Sequence, residues 1–396
     1  MPGKRRKWLL TFLLSLSLLP PLIASTAYPA EDICLPCHGA RGTGTPYVDP
    51  EVFSRSAHGS FGCAFCHPDA IKIPHPERLA RADPLSCAKC HGEITETYQD
   101  SIHGKALAQG IEGVANCKDC HGTHDILPKD DPDSQVFPFN LPATCGKCHS
   151  SAKLAEEHNI PISEAYQSYM RSIHGVGLSR VGLLFSATCK DCHGVHDIQP
   201  FQDSRSTINP KNLPQTCGKC HLGVLNDYKR SIHGRLWEDN SPRVPVCNNC
   251  HRSHAIPPAE SKGFELASIR ACGECHQESF ATYRETYHGQ VSNLGYTGVA
   301  KCSDCHGYHK VLPPTDPDST LSSDHIIDTC RRCHPKANAN FVKFIPHADP
   351  KKGSNPLLRF SWVFMTLLTL VVFGFFGLHT MLWAIRGYIG KIGGEG

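Results

Sequence analysis

The feature that most constrains this chain is a five-residue pattern, C-x-x-C-H, written eleven times. The copies are Cys34-Leu-Pro-Cys37-His38, Cys63-Ala-Phe-Cys66-His67, Cys87-Ala-Lys-Cys90-His91, Cys117-Lys-Asp-Cys120-His121, Cys145-Gly-Lys-Cys148-His149, Cys189-Lys-Asp-Cys192-His193, Cys217-Gly-Lys-Cys220-His221, Cys247-Asn-Asn-Cys250-His251, Cys272-Gly-Glu-Cys275-His276, Cys302-Ser-Asp-Cys305-His306 and Cys330-Arg-Arg-Cys333-His334. They use all 22 cysteines. An even cysteine count suggests a disulfide scaffold, but such scaffolds are short secreted chains and have no reason to follow each second cysteine with histidine. Zinc ribbons pair one C-x-x-C with another and need no fixed trailing histidine.

The pattern is the attachment signature of c-type haem. Two thiols at this spacing form thioethers to the two vinyl groups of one porphyrin, and the adjacent histidine becomes the proximal iron ligand. On these motifs the chain resembles the membrane-anchored multihaem c-type cytochromes over roughly residues 31–347. Eleven covalent c-type haems are expected. Composition agrees: 17 Phe and 4 Trp among 33 Gly and 30 Pro make a thin apolar core, which haems would fill. The expected fold is mostly α with extensive irregular loops: five di-haem repeats behind one leading haem, then one C-terminal transmembrane helix.

Repeats are visible once the motifs are marked. Ser101-Ile-His103-Gly, Ser172-Ile-His174-Gly and Ser231-Ile-His233-Gly are near copies, with weaker versions at His58 and His288. Each opens a unit containing two motifs. A second spare histidine stands three residues after the first proximal one: His124, His196, His254 and His309, with His75 taking that place in the first unit. Two haems per unit need two distal ligands, and two spare histidines are supplied, so bis-histidine iron is expected at most sites.

Chain reach limits the assignment. Three residues span at most roughly 10 Å, whereas trans ligands hold their Cα atoms on the order of 12 Å apart. His124 is therefore expected on a neighbouring haem rather than on that of His121. His158, His325 and His347 are the candidates for the sixth ligand of the Cys34 haem. If none serves, that iron is open and potentially catalytic.

The ends read as targeting segments. Lys4-Arg5-Arg6-Lys7 and the apolar stretch after it form a secretory signal over residues 1–27, with an uncleaved anchor as the alternative. Residues 28–356 form the haem domain, 357–386 a transmembrane helix and 387–396 a cytoplasmic tail. From Phe360 to Ile385 no residue carries a formal charge, enough to cross the hydrocarbon layer. The resemblance implies a haem domain on the periplasmic or outer side of a bacterial or archaeal cytoplasmic membrane. His379 lies within the span, either as a polar packing residue or near a haem or quinone of a partner. With the leader removed the formal charge moves from +3 to about −1, and haem propionates add to it. This is no nucleic-acid binder; it suits basic redox partners.

The function expected from the resemblance is electron transfer between the quinol pool and periplasmic or extracellular acceptors, through a membrane cytochrome b-like partner. The alternative is a multihaem reductase or oxidase of a small nitrogen or sulfur compound at one open haem.

Overall fold

The computed structural model describes residues 33–75 except 43, then 86–158, 160, 164–351, 355–392 and 394. The expected signal segment lies outside them. Two compact units emerge: Met1–Gly92 with Ala115–Phe137, and Glu93–Val114 with Pro138–Gly396. Among the described residues there are helices, turns and loops, and no strand.

C-x-x-C-H fits one helical turn. Residues at i, i+3 and i+4 share a helix face, so both thiols and the imidazole emerge on one side. The i+4 backbone bond closes within the motif, as in His38 N–H to Cys34 C=O at 2.9 Å and His334 N–H to Cys330 C=O at 2.8 Å. Short helices are expected to start at or just after many of the motifs, and those at Cys117–His121, Cys189–His193, Cys247–His251 and Cys302–His306 are complete short helices themselves. Their third residue explains this. Asp119, Asp191, Asn249 and Asp304 each accept a hydrogen bond from the backbone N–H three residues earlier, at 2.7–2.8 Å, which caps the turn from its N-terminal side. The second motif of a repeat closes a helix, as in Leu141–His149 and Lys262–Cys275.

The His-Gly segments form a second recurring element. One helix ends, a serine or threonine adopts extended backbone, and a short helix begins: Ile102–Ala108, Ile173–Ser179, Ile232–Glu238 and Tyr287–Asn293. The hydroxyls of Ser172, Ser231 and Thr286 donate back to the carbonyls of Tyr169, Tyr228 and Tyr283 at 2.6–2.7 Å. They accept forward from the N–H of Gly175, Gly234 and Gly289 at 3.0–3.1 Å. One hydroxyl thus satisfies an orphan carbonyl of one helix and an orphan amide of the next. The glycine is required by close approach: a Cβ on Gly104, Gly175, Gly234 or Gly289 would collide with the carbonyl oxygen of Tyr98, Tyr169, Tyr228 or Tyr283.

A backbone bond ties each such helix start to the following repeat. The N–H of Ile102 reaches the carbonyl of Ile198, Ile173 that of Ile256 and Ile232 that of Val311, each at 2.8 Å. Ala57 to Ile126 in the first unit repeats the register at 2.7 Å.

Few side chains form a core. Eleven apolar residues are buried among the described ones, the most enclosed being Leu178 at 1% exposure. The sequence of residues 151–171 reads as a helix broken at Pro161; short helices Ala152–Glu157 and Ala165–Met170 lie on either side, with Pro161 itself outside the described residues. The C-terminal helix runs Pro356–Ile392, beyond the expected end at 386. It is long and apolar enough to cross a membrane, with mean hydropathy 2.1 over its most apolar window and no part of that window buried.

Candidate haem-binding site

The strap bonds and motif turns bring histidines together in twos. Among the described residues, ten pairs of imidazole rings lie with centroids 5.9–6.3 Å apart. Each pair joins one proximal histidine to one spare histidine. His91, His149, His221, His276 and His334, from the second motif of each repeat, face the His-Gly residues of their own repeats: His58, His103, His174, His233 and His288. The first-motif histidines look forward instead. His67 faces His124, His193 faces His254 and His251 faces His309, each from the next repeat. His124 therefore takes a neighbour's motif, the direction that chain reach required. His121 and His196 hold the matching sequence positions in their own repeats.

Two pairs depart from the sequence reading. His75, expected to complete the first unit, lies 6.0 Å from His38 of the leading motif. The candidates offered for that place were His158, His325 and His347; none of them is there. His347 lies 6.3 Å from His306 instead. His158 and His325 join no such pair among the described residues. His325 directly precedes the helix Ile326–Arg331.

The spacing tests whether these residues fit an iron porphyrin. Two metal–nitrogen bonds of about 2 Å in line, plus the ring radii, put the centroids roughly 6 Å apart. All ten pairs meet this. Their interplanar angles spread from 7° to 58°, as rings joined through a central atom can do and stacked rings cannot. Among the described residues no group of three or more histidine, cysteine or acidic side chains could hold a bare metal ion. Two axial donors leave four equatorial positions, which a porphyrin supplies and a zinc site does not.

Tautomer and charge agree. The Nδ1–H of His38 donates to the carbonyl of Pro46 at 2.9 Å, and that of His75 to Lys72 at 3.0 Å. A carbonyl only accepts, so the proton sits on Nδ1 and the Nε2 lone pair is free. Burial pushes His193 down to about 4. It also lowers His103, His149, His174, His233, His254 and His309, keeping the neutral form that binds iron.

Attachment points are adjacent as well. The first cysteines of successive motifs are hydrogen-bonding neighbours: Cys87 with Cys117, Cys145 with Cys189, Cys217 with Cys247 and Cys272 with Cys302. Their approach is fixed by tyrosines that sequence reading passed over. The hydroxyls of Tyr169, Tyr228 and Tyr283 donate to the carbonyls of Ala187, Pro245 and Ala300 at 2.9–3.1 Å, each two residues before a C-x-x-C. The signal was present as a tyrosine five residues ahead of His103, His174, His233 and His288.

Comparison with known families adds an independent finding. A family model described as cytochrome c3 matches residues 55–150. That segment carries the motifs at Cys63, Cys87, Cys117 and Cys145. Motif spacing and family match point the same way. Together they support a multihaem c-type cytochrome. No curated protein matches the chain. For such a cytochrome the match supports electron transfer by covalently bound haem, and the paired imidazoles are its candidate axial ligands.

Proposed function

We propose that this chain is a membrane-anchored electron-transfer cytochrome that holds eleven haems, each between two histidines. The observation that carries this reading is the uniform spacing of ten imidazole pairs at 5.9–6.3 Å, each pair including the histidine of a C-x-x-C-H motif. A haem held in this way supplies a one-electron couple between ferric and ferrous iron. The polypeptide contributes the rest. Paired cysteines fix each macrocycle covalently. The paired imidazoles would hold the iron from both sides, which would favour electron transfer over chemistry on a small substrate. The tyrosine clamps and strap bonds hold successive attachment points in register.

Short bridges support close haem spacing. His121 and His124 sit on one turn, as do His193 with His196, His251 with His254 and His306 with His309. His124, His254 and His309 each face the histidine of a different motif from their neighbour. A two-residue linker would then tie two haem sites together through the backbone.

The exposed apolar helix Pro356–Ile392 would anchor the haem domain at the outer face of a cytoplasmic membrane. There a cytochrome b-like quinol-oxidising subunit is the proposed electron donor, and periplasmic or extracellular redox proteins are the proposed acceptors.

The direct test is stoichiometry. Pyridine haemochrome absorbance against protein mass, with intact-mass spectrometry of the purified chain, is expected to give eleven haems per polypeptide. A clearly lower number, or haem that acid–acetone extracts, contradicts the reading.

A further inference from the structure

We infer that His347, in the linker entering the apolar helix, is the sixth ligand of the haem attached at Cys302 and Cys305. The inference rests on the haem reading above and deepens it at one site. It starts from a deficit in the repeat pattern. In three earlier repeats the first-motif histidine looks forward: His67 to His124, His193 to His254 and His251 to His309. His306 belongs to the fifth repeat, and residues 335–396 carry no further C-x-x-C-H unit to supply its partner. The ring that stands across from it is His347, at 6.3 Å and 38°, within the range of the other nine pairs.

The linker is built to hold that ring. His347 Nδ1 lies 3.1 Å from the carbonyl oxygen of Ser279 and 3.1 Å from Thr282 Oγ1. Both residues belong to the helix Gln277–Glu285, directly behind His276. The carbonyl fixes the proton on Nδ1 and leaves Nε2 for metal, the arrangement found at His38 and His75. Lys351 pairs with Glu285 of the same helix at 3.9 Å, pinning the linker a second time before the apolar helix begins at Pro356. An ordinary surface histidine would need none of this alignment. His325, nearer in sequence, joins no imidazole pair among the described residues. The last first-motif haem therefore takes its ligand from outside the repeats, from the segment that joins the haem domain to its anchor.

The test uses the full-length holoprotein. His347→Ala is expected to leave haem content unchanged, because the thioethers remain. One haem in eleven should convert from low-spin to high-spin ferric iron in electron paramagnetic resonance, and added imidazole should reverse the change. His325→Ala is expected to leave the spectrum unaltered. His347→Met, which retains a ligand, is expected to stay six-coordinate and to raise one potential in a redox titration. Should His347→Ala not accumulate, the methionine variant carries the test. Full haem content with an unchanged spectrum in His347→Ala, unmoved potentials in His347→Met, or opening of a haem by His325→Ala would each overturn the assignment while leaving the cytochrome reading intact. Haem-free wild-type protein would overturn the reading itself.

Discussion

At the scale of single residues, the chain depends on small side chains where two helices nearly touch. Gly175 illustrates it. Its amide is held by Ser172, and a Cβ there would enter the carbonyl of Tyr169. That carbonyl already accepts from the Ser172 hydroxyl at 2.6 Å, so it cannot withdraw without losing the junction. Gly175→Ala is expected to destabilise the holoprotein by about 1–3 kcal/mol in denaturant unfolding, as overpacking does. Gly223→Ala, where the space is open, is expected to change stability by less than about 0.5 kcal/mol. Equal effects of the two would refute the close-approach argument. The histidine of the same segment, His174, was legible from its repeat position. The glycine's reason was not, because it lies in the backbone of the preceding helix.

At the scale of elements, the turn after each first motif decides where the next histidine goes. Gly122, Gly194 and Gly307 follow the proximal histidine in the left-handed region, at φ 84–88°. They swing the chain away, so that the histidine two residues later leaves its own motif. Asp125 and Asp197 brace two of these turns, accepting from the N–H of Thr123 and Val195 at 2.9 and 3.3 Å. A Cβ on Gly122 or Gly194 would strike those carboxylates. The fourth repeat carries Arg252 instead, at φ 65°, and Ala255 stands where the aspartate would be. The arginine has room but keeps the backbone cost. Arg252→Gly is expected to stabilise the protein by about 1 kcal/mol, read as a higher midpoint in denaturant unfolding followed by Soret absorbance. A lower midpoint would show that the arginine side chain contributes more than its backbone costs. Chain reach alone indicated that His124 must serve another haem. Which haem it serves depends on this turn and on the strap bond from Ala57 to Ile126, and neither can be read from spacing.

At the scale of the whole molecule, the eleven motifs made the class legible at once, and the helical, strand-poor fold followed from cofactors standing in for a core. With only eleven apolar side chains buried among the described residues, the polypeptide has little else to fold around. The ends of the ligand pattern were the illegible part. His75 lies eight residues past His67 rather than three, and His347 lies beyond the last repeat. Both match a simple rule once the pairing is known. The leading motif faces a histidine of the first repeat, the motifs at Cys63, Cys189 and Cys247 face one of the repeat after, and the motif at Cys302 faces a histidine of the linker.

The central claim is that paired imidazoles close both axial positions at the irons. Quantitative electron paramagnetic resonance of the fully oxidised, full-length protein tests it most directly. Low-spin ferric signals integrating to about eleven spins per chain are expected once magnetic coupling between neighbours is included, with no substantial high-spin signal and no response to nitrite, sulfite or hydroxylamine. A high-spin signal approaching one haem per chain that shifts with any of these would contradict it and favour a reductase with an open iron.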